Sequence, residues 1–388
     1  MFPKKLHQKL AERTQKKSLR KLGGTVSLVD FSSNDYLGFS ASEAIFNETH
    51  AFLVANNLTT NGATGSRLLS GNHAMYAAVE SMLCHVHKAD AALVFNSGYD
   101  ANLGFFSSIP QRGDVVLYDA YCHASIRDGI QLSNAKAYKF EHNNLASLET
   151  LLKRNGAVAE TTVYVVTESV FSMDGDTPDL QAMASLCKKH NAHLVVDEAH
   201  ALGVLGLNGT GEVQRLQLED VVFARIVTFG KALGCHGAVV LGSADLKQYL
   251  VNFSRSLMYT TGLSPHALAT IKTAYNHLTG DENTGARCQQ KLLENSQFFT
   301  TEITRVGLQE QFRKSHTAIH CCVVSGNEKV KMLAAKLQAA GFDVKPILSP
   351  TVPTGEERLR FCVHSYNTQE EMTGVLTLLA ALLLENNS

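Results

Sequence analysis

His193-Leu194-Val195-Val196-Asp197-Glu198-Ala199-His200 runs a short apolar stretch into two carboxylates and an imidazole. Downstream, Val221-Val222-Phe223-Ala224-Arg225-Ile226-Val227 delivers Thr228-Phe229-Gly230-Lys231-Ala232-Leu233-Gly234. Each reads as a strand ending in reactive groups. Ligands of open α/β sheets sit beyond the carboxyl ends of the strands, so Asp197, His200 and Lys231 are expected to converge on one ligand. An amine beside a carboxylate suits pyridoxal phosphate: the lysine forms a Schiff base with its aldehyde, and the carboxylate keeps the pyridine nitrogen protonated.

Two simpler readings compete. A single lysine after a glycine is commonly a solvated loop residue, and Asp-Glu-Ala-His also occurs in ATP-driven helicases. Those helicases need a G-x-x-x-x-G-K-[S/T] phosphate loop. Here Ala232 follows Lys231 and Arg225 stands where the first glycine belongs, which sets the nucleotide reading aside. Gly206-Leu207-Asn208-Gly209-Thr210-Gly211 follows Asp-Glu-Ala-His with no strand between, so it reads as an ordinary turn and not a dinucleotide loop.

The 388 residues are 45% hydrophobic and 18% charged, as expected of a soluble two-domain α/β enzyme. A formal net charge of -1 gives no reason to expect nucleic acid. Cysteines 84, 122, 187, 235, 288, 321, 322 and 362 form no C-x-x-C pair. Neither a metal site nor a disulfide framework is expected, and a reducing cytoplasm fits best. No apolar run is long enough for a membrane span, and no signal-peptide core lies near Met1.

Lys4, Lys5, Lys9, Arg13, Lys16, Lys17, Arg20 and Lys21 surround Leu6, Leu10 and Leu19, with Gly23-Gly24 beyond. This predicts an amphipathic helix ended by glycine. Its basic face is either simply solvated or meets an anionic substrate: coenzyme A phosphates, an acidic carrier protein or a distal carboxylate. A transit peptide fits less well, because the segment is poor in serine.

Short apolar, β-branched runs at 91–95, 114–118, 162–167, 193–197, 226–228 and 238–242 alternate with helical stretches such as 180–190. That alternation predicts a mostly parallel sheet with helices on both faces. A helix over 265–278 leads out of it, followed by a second pattern: helix 289–306, strand 318–324, helix 328–340, strand 359–363. The expected division is an N-terminal helix and extension at 1–45, a large cofactor-binding domain at 46–278 and a small α/β domain at 279–388.

Five segments resemble one family in its order: Phe31-Ser32-Ser33-Asn34-Asp35-Tyr36-Leu37-Gly38, Gly65-Ser66-Arg67-Leu68-Leu69-Ser70-Gly71-Asn72, Phe95-Asn96-Ser97-Gly98-Tyr99, residues 167–176 and the Lys231 run. The chain is identified by them as similar to the α-oxoamine synthases, pyridoxal-phosphate enzymes of fold type I that condense an amino acid with an acyl thioester and release carbon dioxide. Residues 167–176 and Pro350-Thr351-Val352-Pro353 most resemble the biotin-pathway branch, which joins L-alanine to a pimeloyl group carried by coenzyme A or a carrier protein. Ala201 stands where that branch commonly has glycine, and Leu348 where many members have a second arginine. Glycine C-acetyltransferase, 5-aminolevulinate synthase and serine palmitoyltransferase are the alternatives within the family. A non-catalytic homologue is the alternative outside it.

The resemblance implies a role for each site residue. Lys231 holds the cofactor and moves the α-proton, Asp197 pairs with the pyridine nitrogen, and His200 bonds the phenolic oxygen with Ser172 nearby. His123 lies against the ring. Ser97, Gly98, Tyr99 and Thr228 meet the phosphate, where a helix N-terminus is suited to an anion. Thr260 and Thr261 reach it from a partner subunit, so a homodimer with sites at its interface is implied. Arg360 takes the amino-acid carboxylate and Arg20 the acyl substrate.

Overall fold

The computed structural model describes residues 2–20, 22, 27–155, 161–280 and 284–385. Two compact units result: Asn34–Ser172 with Asp176–Lys291, and Met1–Ser33 with Met173–Gly175 and Leu292–Ser388. This corrects the expected boundaries at 45/46 and 278/279. Asp35 accepts the Ser40 N–H and hydroxyl, and the Tyr36 hydroxyl meets His200, so residues 34–45 go with the larger unit. The helix Thr284–Arg305 begins in that unit because Gln289 donates to the carbonyls of Val204 and Gly206.

The strands begin with β1 (Val29–Asp30), which belongs to the terminal unit. The larger unit holds β2 (Ala91–Phe95), β3 (Val115–Asp119), β4 (Lys136–Phe140), β5 (Val163–Glu168), β6 (His193–Asp197), β7 (Ala224–Thr228) and β8 (Ala238–Gly242). They form one sheet in the order β2-β8-β7-β6-β5-β3-β4. From β7 to β4 every pairing is parallel, and β8 alone runs antiparallel to both neighbours. The mostly parallel sheet is therefore as expected. Its central strands are buried along their whole length, the pattern of strands covered on both faces. One face packs on Phe105, Phe106, Ile126 and Leu250, the other on Leu148, Leu152, Met183 and Cys187. At roughly 25 cal/mol per Å² of apolar surface removed from water, these two layers supply the main driving force for the unit.

The edge strand β4 was not foreseen, since Lys-Ala-Tyr-Lys-Phe is largely exposed and charged, as edge strands commonly are.

In the terminal unit β9 (Ile319–Val323), β11 (Lys345–Ile347) and β12 (Arg358–Cys362) form an antiparallel sheet in the order β11-β12-β9. The short β10 (Phe342–Asp343) pairs in parallel with β1. Phe31, Phe299 and Phe361, all fully buried, form the aromatic centre of its core. The N-terminal helix is shorter than expected, Lys4–Gln15, with no residue buried. Lys17 ends it in the left-handed region, φ 49°, while the Ser18 N–H bonds the Arg13 carbonyl at 2.8 Å. Gly23 and Gly24 lie outside the described residues, as do Asp281, Glu282 and Asn283.

Candidate active site

The carboxyl ends of β2, β3, β5, β6 and β7 open on one cavity of about 170 Å³. Each end contributes at least one group. After β2, Ser97 caps the helix Gly98–Ser108 by accepting the Asp100 N–H at 3.1 Å. Gly98 and Tyr99, at the start of that helix, line the cavity. A Cβ on Gly98 would stand 3.3 Å from Thr228 Oγ1, so glycine here permits the helix start and the end of β7 to approach closely.

Asp197 ends β6 almost fully buried. Its Oδ1 accepts the Ala199 N–H at 2.9 Å and its Oδ2 accepts Asn102 Nδ2–H at 2.8 Å. Three residues on, His200 sits between two partners: Nδ1 lies 2.7 Å from the Tyr36 hydroxyl and Nε2 lies 2.7 Å from Lys231 Nζ. With an ammonium at Lys231, Nε2 must accept, so Nδ1 carries the proton and donates to the Tyr36 oxygen.

His123 caps the helix Ala124–Leu132 and donates its backbone N–H to Glu168 at 2.6 Å. Its Nδ1 lies 2.7 Å from Ser125 Oγ, which in turn accepts from Asn102 at 3.0 Å. Burial lowers the His123 pKa, Asp197 partly opposing and Lys231 assisting, so the ring is neutral near pH 7. Glu168 ends β5, fully enclosed. Burial and then the charge of Asp197 raise its carboxyl well above the usual range.

Of the residues predicted from sequence, Gly98, Tyr99, His123, Asp197, His200, Thr228 and Lys231 line the cavity. Ser97 stands behind it as the helix cap, and Ser172 lies in the turn after Phe171 without being among the lining residues. Thr260 and Thr261 hold Asn96, which donates to the Thr260 hydroxyl at 3.2 Å and the Thr261 carbonyl at 2.7 Å. Arg20 and Arg360 belong to the terminal unit. Arg20 donates to the Thr351 hydroxyl at 3.1 Å, and Arg360 is buried on β12 opposite Lys345 and Cys321. Sequence reasoning missed Asn102, Glu168, Ser125 and the role of Tyr36.

The donor set fits pyridoxal phosphate: an amine for its aldehyde, a carboxylate held from behind for its ring nitrogen, a neutral imidazole for its face, and a helix N-terminus with a hydroxyl for its phosphate. Among the described residues no cluster of His, Cys, Asp and Glu could hold a metal ion.

The family model described as aminotransferase class I and II matches residues 26–379. The 8-amino-7-oxononanoate synthase of Emericella nidulans is 40% identical, over 97% of this chain and 95% of that protein. A serine palmitoyltransferase variant from S. paucimobilis, solved with a bound adduct of pyridoxal phosphate and myriocin, has a TM-score of 0.88 at 26% identity, covering 99% of this chain and 98% of that one. The 8-amino-7-oxononanoate synthase of Francisella tularensis has a TM-score of 0.77 at 26% identity, covering 93% and 99%.

Proposed function

We propose that this chain, which belongs to the aminotransferase class I and II family, is a pyridoxal-phosphate enzyme that joins L-alanine to a pimeloyl thioester with loss of carbon dioxide, as an 8-amino-7-oxononanoate synthase does. The observation that carries the chemistry is the convergence of Lys231, Asp197, His200 and His123 on one cavity at the strand ends. The full-length match to the Emericella enzyme supports the substrate pair.

Bound pyridoxal phosphate supplies an electron sink for negative charge at the amino-acid α-carbon. Lys231 would hold the cofactor and afterwards take the proton from that carbon and return one to the product. Asp197, with both oxygens already bonded, would keep a proton on the pyridine nitrogen. His200 would bond the phenolic oxygen, its other ring nitrogen held by the Tyr36 hydroxyl. His123 would cover the ring face as a neutral group, and the N-terminus of the helix Gly98–Ser108 with Thr228 would take the phosphate. Arg360 offers a planar fork for the amino-acid carboxylate, and Arg20 a cation for the distal carboxylate of the acyl chain.

We also read the protein as a homodimer whose interface completes the sites. Support comes from Phe46, Leu69 and Tyr259, which are 61%, 83% and 70% exposed in the single chain. Among the described residues no helix is long and apolar enough to cross a membrane. None of the eight cysteines is in a disulfide, which supports the reading of a reducing, cytoplasmic setting. The test is a panel of alanine, glycine and serine against pimeloyl, acetyl and palmitoyl thioesters, read by carbon dioxide release and product mass. Alanine with the pimeloyl thioester should give the largest kcat/KM; a clear preference for another pair overturns the reading.

A further inference from the structure

Asp119, the last residue of β3, carries a fully buried carboxylate that the chemistry above does not use. Its Oδ1 accepts the Tyr121 N–H at 2.8 Å and faces His142 Nδ1 at 2.8 Å, while Oδ2 accepts the Asn143 N–H at 2.9 Å. The other ring nitrogen of His142 faces Asp176 Oδ2 at 2.7 Å, and Asn143 Nδ2 donates to the same oxygen at 2.7 Å. A neutral imidazole has one N–H and serves one carboxylate; only the imidazolium serves both. Burial opposes that charge, but hydrogen bonds to Asp119 and Asp176 and their charges outweigh it and raise the His142 pKa to about 9. Tyr121 stacks on the ring at 4.2 Å and Phe171 meets it edge-on at 4.5 Å.

Both carboxylates sit at the roots of segments that carry site residues. Four residues beyond Asp119 is His123, in the cavity. The Asp176 carbonyl accepts the Phe171 N–H at 3.0 Å, which closes the turn holding Ser172. The ring cannot shift without releasing one of these segments.

We propose that His142 is a positioning residue: by bridging Asp119 to Asp176 it fixes the 119–125 segment and thereby the place of His123 against the cofactor. The inference rests on the reading of the cavity as the pyridoxal-phosphate site. The titratable groups facing His142 are Asp119 from β3, Asp176 from the turn after Phe171, and Tyr121 stacked on its face.

The experiment compares wild type, His142→Asn and Asp176→Asn between pH 6 and 10. Cofactor affinity of the apoenzyme is measured by visible absorbance, with kcat, KM for L-alanine and thermal stability alongside. Near pH 7, His142→Asn should bind pyridoxal phosphate on the order of tenfold more weakly, the usual cost of losing an orienting partner behind a first-contact group. Its kcat should fall more than its KM changes. The gap from wild type should close above about pH 9, where wild type has itself lost the bridging proton. Asp176→Asn, with one carboxylate fewer to hold that proton, should move the closing point to lower pH.

A His142→Asn protein with wild-type cofactor affinity, kcat and pH profile overturns the proposal, even if it melts earlier. If that variant does not fold, an unmoved profile in Asp176→Asn overturns it alone. Lys231→Ala serves as the separate control: unchanged cofactor binding there would refute the cavity as the cofactor site, whatever His142 does.

Discussion

Asn102 donates to Asp197 at 2.8 Å from within the helix that Ser97 caps, so one helix both presents its N-terminus to the cavity and holds the carboxylate at its floor. Asp197 also takes the Ala199 N–H, which leaves its orientation fixed by two donors on different elements. Asn102→Ala should lower kcat on the order of tenfold with the fold intact, because a buried carboxylate loses one of its orienting bonds. Asp197→Asn should cost more, since a neutral amide does not stabilise a protonated ring nitrogen. Near-normal kcat in Asp197→Asn, measured with saturating cofactor, sinks the role given to this pair.

Lys231→Ala should abolish turnover, because one amine is asked both to hold the cofactor and to move the α-proton. In the structure that amine lies 2.7 Å from His200 Nε2, so the variant also leaves His200 with one partner fewer. Residual activity within a factor of ten of wild type, in a preparation free of wild-type protein, counts against the assignment.

The oligomer is open to a direct measurement. Asn96 holds Thr260 and Thr261 beside the exposed Tyr259, and the proposed dimer contact is expected at that corner. Sedimentation at assay concentration should give a two-fold dimer. A fully active monomer contradicts shared sites.

His320, on β9, should make the terminal unit less stable in acid. It is 2% exposed, with its ring 5.0 Å from Phe299, and burial with a smaller push from His316 lowers its pKa to about 4. The unfolded chain takes up this proton near pH 6.5, the folded chain only near 4. Above pH 6.5 neither state is protonated and the full stability is present. Below it the unfolded state binds the proton first, and stability falls until about pH 4, by at most about 3 kcal/mol. His320→Leu should remove this part of the slope. Equal pH dependence of wild type and variant, followed by urea denaturation, contradicts it.

Much of the site was legible because its chemistry sits at strand ends, where an apolar run stops and Asp197, His200 or Lys231 follows within a few residues. Tyr36, Asn102 and Glu168 act across the fold. Asn102 reaches Asp197 from 95 positions away, and nothing local marks a helical asparagine as an orienting group. The strand β4 escaped notice because an exposed edge needs no apolar pattern, and the reversed direction of β8 left no trace in Ala-Val-Val-Leu-Gly. The two-unit boundary was misplaced for a similar reason: Gln289 commits the start of its helix to the larger unit through bonds to Val204 and Gly206 that no sequence pattern announces.

Substrate choice gives the sharpest remaining test. One methyl group separates alanine from glycine and is worth only about 1–3 kcal/mol in a pocket, so some glycine turnover is compatible with an alanine enzyme. The acyl side should discriminate more strongly, because a cation placed for a carboxylate is left unmatched by an uncharged chain. Arg20, whose guanidinium donates to Thr351 at 3.1 Å, is the cation proposed for that role. Arg20→Ala should therefore raise KM for the pimeloyl thioester roughly tenfold or more, as expected on losing a charge-assisted hydrogen bond of about 1.5–3 kcal/mol. Alanine-dependent spectral changes of the bound cofactor should stay as in wild type, since they precede the acyl substrate. An unchanged KM for the pimeloyl thioester, or an equal rise for acetyl and palmitoyl thioesters, removes Arg20 from the role and leaves the cofactor chemistry standing.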